Sequence, residues 1–407
     1  MINAVVGRYA EIFLKRSRRA FFLNALRRNI REALGRSQDY RVTTPYGRVM
    51  VTLAPLADGT LPPLGSHAAR IEAALARVFG LASFSRAVVT PNDVETLKQV
   101  AVTMFRESVE RRGLPPSFRV RTTRADKSYP IRSDDLNRQI AGALFKEWPD
   151  LTVRLNDAAL EVGVEIRPEM TFVHVESTPG PGGLPVGSNG RAMLLLSGGI
   201  DSPVAGWCTM KRGVTVEAVY FHSFPYTSDQ AREKVVELAR CLAAWQGELR
   251  LTVIPFARFQ EVCRDNAPAP SLVLLYRRQM LRIAEVLARK RGAQVLVTGE
   301  SIGQVASQTL PNIACVDAVA SMPVLRPLIT NDKNETIVIA RRIGTYETSV
   351  QPFDDCCSLF VARHPELEGH ARHLTKLEAP LPLQELLDEA LAGAVVVRVT
   401  AHGSADT

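Results

Sequence analysis

Residues 192–213 constrain the fold of this chain more than any other stretch. Ala192–Leu196 is an apolar run of the length expected for a buried parallel strand. Ser197-Gly-Gly199 follows, and its two glycines allow the backbone to turn sharply and to come close to a ligand. A helix is predicted next, because Pro203 suits a first helical turn and Gly213 suits a helix end.

The turn and the helix together predict an anion site. Asp201 or Ser202 is expected to cap the helix, since both side chains accept hydrogen bonds from N–H groups at a helix start. The N–H groups of the turn and the positive end of the helix dipole then point to the same place. A packing turn would explain Gly198 and Gly199, but it does not require Ser197, Asp201 and Ser202. No Lys-Ser or Lys-Thr pair follows the glycines, so this is not a Walker A loop.

The stretch Ser197–Pro203 resembles the PP-loop of enzymes that cleave ATP between its α- and β-phosphates. That resemblance implies that the turn, with Gly198, Gly199 and Ser202, holds the leaving pyrophosphate. It also implies that Asp201 helps to hold Mg²⁺, so the expected cofactors are ATP and Mg²⁺. We expect the metal to arrive with ATP rather than to occupy a site built by the protein alone.

Length and composition are typical of a globular protein of two or three domains. The chain has 407 residues, of which 46% are apolar and 23% charged, and no apolar run approaches the roughly 20 residues that span a bilayer. The first residues lack the apolar core of a signal peptide, and six cysteines show neither disulfide nor zinc spacing. We therefore predict a cytoplasmic protein with reduced thiols and no membrane partner.

Nearly all of the excess positive charge lies near the start of the chain. The net charge is +8, and residues 1–60 hold 11 Lys and Arg against 4 Asp and Glu. Lys15, Arg16, Arg18 and Arg19 cluster in the turn before a predicted helix. A solvated helix face would explain a charge run of this kind, but the clustering favours binding of RNA phosphates.

Two small α+β units are predicted before residue 173. Residues 1–60 contain a strand, a helix over 20–34 and two further strands. The expected apolar stripe of that helix consists of Phe21, Leu23, Leu26 and Ile30. A second α+β run covers 61–172, and its predicted strands are 117–123, 152–155 and 160–166. The following stretch, 177–191, has eight Gly or Pro among its 15 residues and predicts a linker or an ordered loop.

The stretch Arg119–Pro130 alternates basic with apolar residues and then turns. With Asp135–Asn137 and Glu161–Arg167 it resembles the THUMP domain, an RNA-binding module of tRNA-modifying enzymes. The resemblance implies that Arg121 and Lys127 contact RNA.

Strands and helices alternate from residue 192 onward, which predicts a parallel sheet covered on both faces. The further strands are predicted at 215–221, 249–255 and 294–298, and the helices at 229–245, 276–291, 303–310 and 333–343. Ligands of such sheets bind beyond the carboxyl ends of the strands. Ser197, Phe221 and Gly299 fall at those ends.

Two further pairs of residues are candidates for nucleotide contacts. Tyr220 and Phe221 end a predicted strand and could stack on adenine, although a place in the core is the simpler interpretation. Arg277 and Arg278 begin a long predicted helix, and one of them could reach a phosphate or the nucleobase. A solvated arginine is the simpler interpretation of the second pair.

The stretch Thr298–Thr309 is a second polar, glycine-bearing turn after a strand. The helix predicted to follow it would present Gln304 and Gln308 near the first turn. Amide side chains can bind the edge of a purine through paired hydrogen bonds, so a nucleotide role is a reasonable hypothesis.

The stretch Asp354-Asp-Cys-Cys-Ser358 is the second chemically distinctive motif. Adjacent cysteines after two acids match neither a zinc site nor a Cys-x-x-Cys redox pair. Neighbouring acids do not favour a thiolate, so charge alone does not make Cys356 or Cys357 reactive. Two small residues in a turn would explain the pair as well as a sulfur role does.

Together these stretches resemble one family, the tRNA 4-thiouridine synthetases. Arg8–Arg19 is similar to the family's N-terminal Arg-Tyr-Gly-Glu…Leu-Lys…Asn-Arg motif, with Ala10 and Arg16 where the pattern has glycines. The stretches similar to its PP-loop, its Gly-Glu-Ser motif and its cysteine loop are Ser197–Pro203, Thr298–Thr309 and Asp354–Phe360. The likeness covers about residues 1–365 and is to the form without a C-terminal rhodanese domain, since no such segment follows Leu391.

The resemblance implies an α/β protein with a doubly wound parallel sheet in its largest domain. The implied domains are an N-terminal ferredoxin-like α+β domain at 1–60, an α/β THUMP domain at 61–172, a PP-loop domain at 173–395 and a tail at 396–407. The implied ATP contacts, besides the turn residues named above, are the backbones of Leu194 and Leu195, together with Tyr220, Phe221, Arg277, Gly299 and Gln308. Asp201 would act in catalysis, and Cys356 or, slightly favoured, Cys357 would carry sulfur.

The implied reaction is ATP-dependent thiolation of uridine 8 of tRNA. ATP would adenylate the uracil O4, and a persulfide sulfur would displace AMP. The implied partners are tRNA and a cysteine desulfurase or a sulfur carrier, while a homodimer and a role in thiamine thiazole synthesis stay open. Two alternatives are a PP-loop ligase that attaches an amine, which would need neither cysteine, and a tRNA-binding protein without catalysis.

Overall fold

The chain folds into two compact units, Met1–Leu184 and Pro185–Thr407, in the computed structural model. The structure describes every residue except 36–38, 46, 169, 354–355, 357–358, 402 and 407, and the backbone alone of residue 406. Each unit has its own sheet and its own buried core. Within the described residues, no helix has the length and apolar character that crossing a membrane requires.

A mixed sheet organises the first unit. Its described strands and α-helices are β1 (Ala4–Arg8), α1 (Arg19–Ala33), β2 (Tyr40–Thr43), β3 (Val49–Leu53), α2 (His67–Leu75), β4 (Ser83–Thr90), α3 (Val94–Arg112), β5 (Phe118–Arg124), α4 (Ser133–Glu147), β6 (Leu160–Ile166), β7 (Thr171–Val175) and β8 (Thr178–Pro179). The strand order is β2-β3-β1-β4-β7-β6-β5, with β8 beside β4. The β5–β6 pair is parallel and the other described pairs are antiparallel.

Helix α1 packs on this sheet through a different stripe from the predicted one. Phe22, Leu26 and Ile30 are buried, and their spacing of four residues places them on one face of the helix. Phe21 is 47% exposed, so its assignment to the core was wrong. Leu23 is only partly buried against the same cluster.

Two differences from the predicted strands concern the second half of this sheet. The strand expected at 152–155 does not form, and Val153 makes an isolated bridge to Phe118. Val153 is 44% and Leu155 77% exposed, so neither side chain has a buried face to hold an extended segment. The central strands β4 and β7 were not predicted, because they are largely buried on both sides and lack strict alternation.

A second sheet organises the other unit. Its described strands and α-helices are β9 (Arg191–Leu195), α5 (Asp201–Lys211), β10 (Thr215–His222), α6 (Asp229–Ala243), β11 (Glu248–Pro255), α7 (Ala257–Asn266), α8 (Leu272–Arg291), β12 (Val295–Val297), α9 (Leu310–Asp317), β13 (Val324–Leu325), α10 (Lys333–Ile343), α11 (Tyr346–Ser349), α12 (Ala371–Glu378), α13 (Leu383–Ala392), β14 (Val395–Thr400) and β15 (Gly403–Asp406). The strand order is β13-β12-β9-β10-β11-β14-β15.

The predicted parallel sheet is confirmed for β9 to β13, which pair in parallel. Strands β14 and β15 then add to β11 in antiparallel pairing. They lie in the segment expected as a tail at 396–407, where buried Val397 and Val399 fasten the chain to the core. Because β9 lies between β12 and β10, the turns that follow these three strands come together at one edge.

Gly163 in β6 offers a test of packing in the first unit. It pairs with His174 of β7, and a β-carbon at position 163 would lie 2.1 Å from the imidazole ring. Burial and the neighbouring Arg8 lower the pKa of His174 to about 3, so the ring stays neutral and closely packed at physiological pH. There is thus no space for even one methyl group.

We expect Gly163→Ala to destabilise the protein by about 1–3 kcal/mol through overpacking. The control is Gly142→Ala in α4, where an added methyl group meets no atom within 4 Å. That variant should be more stable by roughly 0.5–1 kcal/mol, because alanine is the better helix former. Urea unfolding followed by circular dichroism measures both, and equal effects of the two variants would contradict the packing.

Candidate active site

A cavity of about 260 Å³ opens at the carboxyl ends of β9, β10 and β12. The residues expected from the sequence that line it are Leu195, Ser197, Gly199, Asp201, Ser202, Tyr220, Phe221, Arg277, Gly299, Gln308 and Cys356. Leu194 and Gly198 are not among its lining residues. Leu194 is fully buried and its side chain lies where a β-carbon of Gly206 would be, while Gly198 lies beside Lys234.

Ser197 and Ser202 tie together the two ends of the glycine turn. The N–H of Ser197 donates to Ser202 Oγ at 2.9 Å, and the N–H of Gly199 donates to Ser197 Oγ at 3.3 Å. Helix α5 begins at Asp201 without a side-chain cap, with Pro203 in its first turn. The prediction that Asp201 or Ser202 caps the helix was therefore wrong, because the Ser202 hydroxyl bonds back across the turn.

The turn after β12 presses against the start of α5. A β-carbon on Gly299 would lie 2.6 Å from the backbone nitrogen of Ser202 and 2.7 Å from the carbonyl carbon of Asp201. Contacts this short with backbone atoms leave room only for glycine. The two glycine-bearing turns therefore form one continuous floor beneath the cavity.

Asp201 is held by a lysine that the sequence analysis missed. Lys333 Nζ lies 2.8 Å from Asp201 Oδ1 and 2.9 Å from Oδ2, and Gln304 donates to Asp201 Oδ2 at 2.9 Å. Lys333 opens α10 directly after the capping residue Asp332. A lysine at the start of a helix is ordinarily solvated, so the sequence gives no indication of this contact. Residues 201 and 333 come together only in the folded chain.

The structure separates the two candidate arginines. Arg277 lines the cavity, donates to Ser307 Oγ at 2.9 Å and pairs with Glu300. Arg278 is 2% exposed and makes a bidentate pair with buried Glu378, at 2.8 and 2.7 Å. Arg277 therefore faces the cavity, whereas Arg278 ties α8 to α12.

Glu300 is a buried carboxylate shared by two guanidinium groups. Arg326 Nε lies 2.7 Å from its Oε2 and Arg277 pairs with its other oxygen, while Thr298 Oγ1 donates at 2.7 Å. Burial raises the pKa of Glu300, but the two arginines and the hydrogen bonds outweigh it, so its pKa lies below the usual range. Glu300 thus stays ionised and fixes Arg277 at the cavity wall.

The helix predicted over 303–310 does not form. Gly303 has φ 73, a short 3₁₀ turn spans Ala306–Gln308, and α9 begins only at Leu310, capped by Thr309. The expected placement of Gln304 and Gln308 is nevertheless confirmed. Gln304 reaches Asp201, and Gln308 lines the cavity and accepts from the N–H of Ser301 at 3.2 Å.

One wall of the cavity is apolar. Tyr220 and Phe221 are buried at the end of β10, and Phe221 packs against Phe256 with ring centroids 5.1 Å apart. The remaining apolar lining residues include Leu195, Leu196, Val273, Met280, Leu281 and Val316. A flat heterocycle fits this wall, whereas charged groups fit the floor of serine, glycine and Asp201.

Cys356 reaches the same cavity. Its side chain is 4% exposed and lines the space, and its carbonyl accepts from Gln260 Nε2 at 2.8 Å. Ser349 Oγ donates to the carbonyl of Gly199 at 3.3 Å, which ties the preceding segment to the glycine turn. Cys357, the sequence's slightly favoured sulfur carrier, lies outside the described residues.

Other cysteines are less suited to chemistry. Burial raises the pKa of Cys263 to about 12, and it also raises the pKa of Cys315 and of Cys208. A thiol must ionise to act as a nucleophile. Burial therefore disfavours the reactive thiolate form of all three.

Comparisons with known proteins match nearly the whole chain. The family models for the ThiI ferredoxin-like domain, the THUMP domain and the thiamine biosynthesis protein (ThiI) match residues 4–85, 91–176 and 187–383. The chain is 40% identical to a probable tRNA sulfurtransferase of Acetivibrio thermocellus, over 98% of this chain and 100% of that one. It is 41% identical to that of Brevibacillus brevis, over 98% and 96%.

A solved structure gives the same result. A 4-thiouridine synthetase in complex with RNA and bound ATP is 36% identical, with a TM-score of 0.87 over 98% of this chain and 100% of that one. The chain belongs to the ThiI family of tRNA sulfurtransferases. A structure from Pyrococcus horikoshii Ot3 is also similar, at 26% identity and a TM-score of 0.64 over 84% and 99%.

The predicted RNA-binding residues of this chain differ in their exposure to solvent. Arg16, Arg18, Arg121 and Lys127 are exposed, so they are accessible to a phosphate backbone. Lys15 and Arg19 are half-buried, and they lie over the rings of Phe22 and Phe13, 5.2 and 4.5 Å from their centroids.

Arg16 also shows why the family pattern has glycine at its position. Its φ is 39, a value that residues with a β-carbon rarely adopt and that costs of order 1–3 kcal/mol. This protein therefore carries backbone strain in the middle of its basic cluster.

We expect Gly299→Ala to weaken ATP binding at least tenfold, because the added methyl group must displace the first turn of α5. Isothermal titration with Mg-ATP measures the affinity. Gly142→Ala, which adds a methyl group in open space, is the control and should bind as the wild type does. Unchanged affinity in Gly299→Ala would show that the two turns do not form the nucleotide floor.

Proposed function

We propose that this protein is an ATP-dependent tRNA sulfurtransferase that makes 4-thiouridine at position 8 of tRNA. The observation that carries the proposal is the convergence of a lysine-free glycine turn, Asp201 and Cys356 on one cavity. Membership of the ThiI family and similarity to an ATP-bound synthetase support the same conclusion. The description of the family model as a thiamine biosynthesis protein supports a second use of the sulfur in thiazole synthesis.

The first step is adenylation of the uracil O4. The oxygen forms a bond to the α-phosphorus of ATP, and the bond from that phosphorus to the bridging oxygen of pyrophosphate breaks. The apolar wall at Tyr220 and Phe221 suits adenine, and the floor at Ser197 and Gly199 suits the phosphates. Arg277, which Glu300 holds in place, is positioned to contact the part of the nucleotide that lies between adenine and the phosphates.

Asp201 fits a site for Mg²⁺ that is completed by ATP. Magnesium in nucleotide sites is held by one or two carboxylates together with substrate phosphates, and Asp201 supplies such a carboxylate at the cavity floor. Among the described residues, no cluster of three or more metal-ligating side chains would hold an ion without the nucleotide. A bound Mg²⁺ would neutralise charge on the pyrophosphate, while Lys333 and Gln304 orient Asp201.

The second step transfers sulfur. The terminal sulfur of a persulfide forms a bond to C4 of the activated uracil, and the bond from C4 to the AMP oxygen breaks. A second thiol then attacks the inner sulfur, which forms a disulfide between the two thiols and breaks the sulfur–sulfur bond to the base, so that the thiolated base is released. A thiol reductant must reduce that disulfide before the next turnover. We assign the persulfide to Cys356 or Cys357, and its outer sulfur to a cysteine desulfurase or a sulfur carrier in the cytoplasm.

The remaining parts of the proposal concern architecture and RNA. We retain a ferredoxin-like domain at 1–60, a THUMP domain at 61–172 and a PP-loop domain at 173–395 as proposed boundaries. Lys15, Arg16, Arg18, Arg19, Arg121 and Lys127 are the proposed contacts to tRNA phosphates. A homodimer remains a proposal that sedimentation can test.

A reconstituted thiolation assay tests the reaction. Protein, tRNA, Mg-ATP, a cysteine desulfurase and cysteine should yield 4-thiouridine, measured by its near-ultraviolet absorbance and by product mass. We expect the Cys356→Ser/Cys357→Ser double variant to lose at least 100-fold in thiolation and to keep tRNA-dependent pyrophosphate release, because the cysteines act after adenylation. Cys263→Ser is the control and should remain active.

Three results would each contradict a part of the proposal. Undiminished thiolation in the double variant would remove both cysteines from the mechanism. An amine-containing product would indicate a ligase, and absence of pyrophosphate release with tRNA present would indicate a protein that only binds RNA.

The basic cluster can be tested through its salt dependence. Replacing Lys15, Arg16 and Arg18 by Gln should weaken tRNA binding and flatten the slope of log K against log salt by about 0.7–0.9 for each phosphate that the protein no longer neutralises. The control replaces Lys290, Arg372 and Lys376, three exposed cations of the other unit, and removes the same net charge. Filter binding between 50 and 300 mM salt measures both, and equal slopes in the two variants would mean that the cluster is solvated surface.

A further inference from the structure

The turn that follows β10 is tied to the segment that carries Cys356. Gln260 of α7 accepts a hydrogen bond from the hydroxyl group of Ser223 and donates one to the carbonyl of Cys356 at 2.8 Å. The rings of Tyr226 and Phe360, one from each segment, meet edge to face with their centroids 5.1 Å apart. Because Cys356 lines the cavity, this turn lies beside the place where the proposed chemistry occurs.

Two aromatic side chains of this turn are exposed, although its backbone is firmly held. Phe224 is 63% exposed and Tyr226 is 41% exposed, whereas Ser223 and Thr227, which flank them, are buried. The N–H of Ser223 donates to Thr227 Oγ1 at 3.1 Å. The carbonyl of Ser223 accepts from the N–H groups of Tyr226 and Thr227 at 2.8 and 3.0 Å. The rings therefore project from a backbone that is already ordered, which lowers the entropic cost of binding a partner.

Packing within the protein does not account for these rings. The ring of His222 lies 6.4 Å from that of Phe224, measured between centroids, but most of the phenylalanine stays in water. Single exposed apolar residues are ordinary on a protein surface. Among the described residues of the second unit, however, the exposed Phe, Tyr and Trp side chains are Phe224, Tyr226 and Phe353, and Phe353 lies in the segment before Cys356. Exposed rings concentrated in these two segments indicate a binding surface.

A nucleobase is the partner that fits these rings best. The target uracil must leave its stacked position to bring O4 into the cavity, and a neighbouring base then loses one of its stacking partners. Proteins stack unpaired bases on aromatic rings and on guanidinium planes. Both kinds of group are present here, because the guanidinium carbon of Arg264 lies 4.9 Å from the centre of the Phe360 ring.

We propose that the aromatic surface formed by Phe224, Tyr226 and Phe360 binds a base of tRNA that neighbours the target uridine. Phe224, the most exposed of the three rings, is the one on which that base stacks. The proposal rests on the proposed function for the identity of the RNA. The target base itself belongs in the cavity, which Phe224 does not line. Stacking on Phe224 replaces the contact that the neighbour loses, so it stabilises the state in which the target uracil is displaced.

Binding of tRNA to the full chain tests the stacking contact. Filter binding is measured with saturating α,β-methylene-ATP, a nucleotide that cannot be cleaved between its α- and β-phosphates. Phe224→Ala and Phe224→Leu should weaken binding by about fivefold or more, because both lose the aromatic face on which a base stacks. Phe224→Trp keeps that face and should stay within about twofold of the wild type. The control is Val338→Ala, an apolar side chain of α10 that is 67% exposed, and it should bind as the wild type does.

The salt dependence of binding separates stacking from charge. Phe224→Ala removes no charge, so the slope of log K against log salt should equal that of the wild type, while the affinity falls at every salt concentration. A changed slope would mean that the variant has altered the phosphate contacts instead, and it would count against the stacking role.

A double-mutant cycle identifies the base. Three tRNAs are compared, each lacking one base, which is that of the target uridine, of its 5′ neighbour or of its 3′ neighbour. For the base that stacks on Phe224, removing the base and removing the ring delete the same contact, so the two losses of affinity should not multiply. Multiplicative losses for both neighbours would overturn the proposal, and coupling to the target base alone would assign the ring to the target instead.

A docking surface for a sulfur donor would give a different result. Phe224→Ala would then bind tRNA as the wild type does, but it would accept less persulfide from a cysteine desulfurase on the peptide that contains Cys356 and Cys357. Mass spectrometry measures that transfer, and this result would overturn the proposal.

Two checks complete the experiment. Circular dichroism melting identifies variants that fail to fold, and if Phe224→Ala is one of them, Phe224→Leu carries the comparison with Phe224→Trp. The binding measurements use neither a cleavable nucleotide nor a sulfur donor. Absence of thiolation by the wild type, with these binding results intact, would therefore count against the proposed function alone.

Discussion

The close approach of Gly299 to the first turn of α5 determines the geometry of the active site. Strands β9 and β12 are parallel neighbours, so the turns that follow them emerge side by side, and the missing β-carbon lets their backbones touch. The floor of the cavity is consequently made of main chain and short hydroxyl side chains. A bulkier residue at this place would both intrude on the floor of the cavity and separate helix from sheet, so the shape of the cavity and the packing depend on the same close contact.

Charges around that floor are held in pairs by neighbouring protein groups. Lys333 lies on Asp201, and Arg277 lies between Glu300 and Ser307. Each cation is already oriented by protein groups, so little reorganisation is needed when negative charge develops on a phosphate. Glu300 also pairs with a second arginine, Arg326, so two cations share the task of neutralising its buried charge.

Local patterns predicted much of this arrangement, and long-range contacts account for the rest. The apolar run before Ser197 and the alternation after it were enough to predict a parallel sheet and to place three turns at one edge. The start of α9 could also be predicted, because Thr309 before Leu310-Pro311 is a helix-start signal. The helix predicted over 303–310 did not take that signal into account. Lys333 and Lys234 could not be found this way, because only the folded chain brings them to residues 201 and 198. Phe21 was predicted to be buried in place of Phe22 because two adjacent phenylalanines fit the helical spacing of Leu26 and Ile30 almost equally well.

The protonated cysteines of the core carry a consequence for specificity toward sulfur. A thiol that stays protonated is a poor nucleophile, so it is also a poor acceptor of sulfur. Cys263 has a pKa of about 12, and Cys315 is buried in the same apolar cluster. The low-dielectric surroundings favour the protonated form of both thiols. Cys356 belongs to that cluster but also lines the cavity, so among the described thiols of the cluster it is the one that a molecule in the cavity can contact.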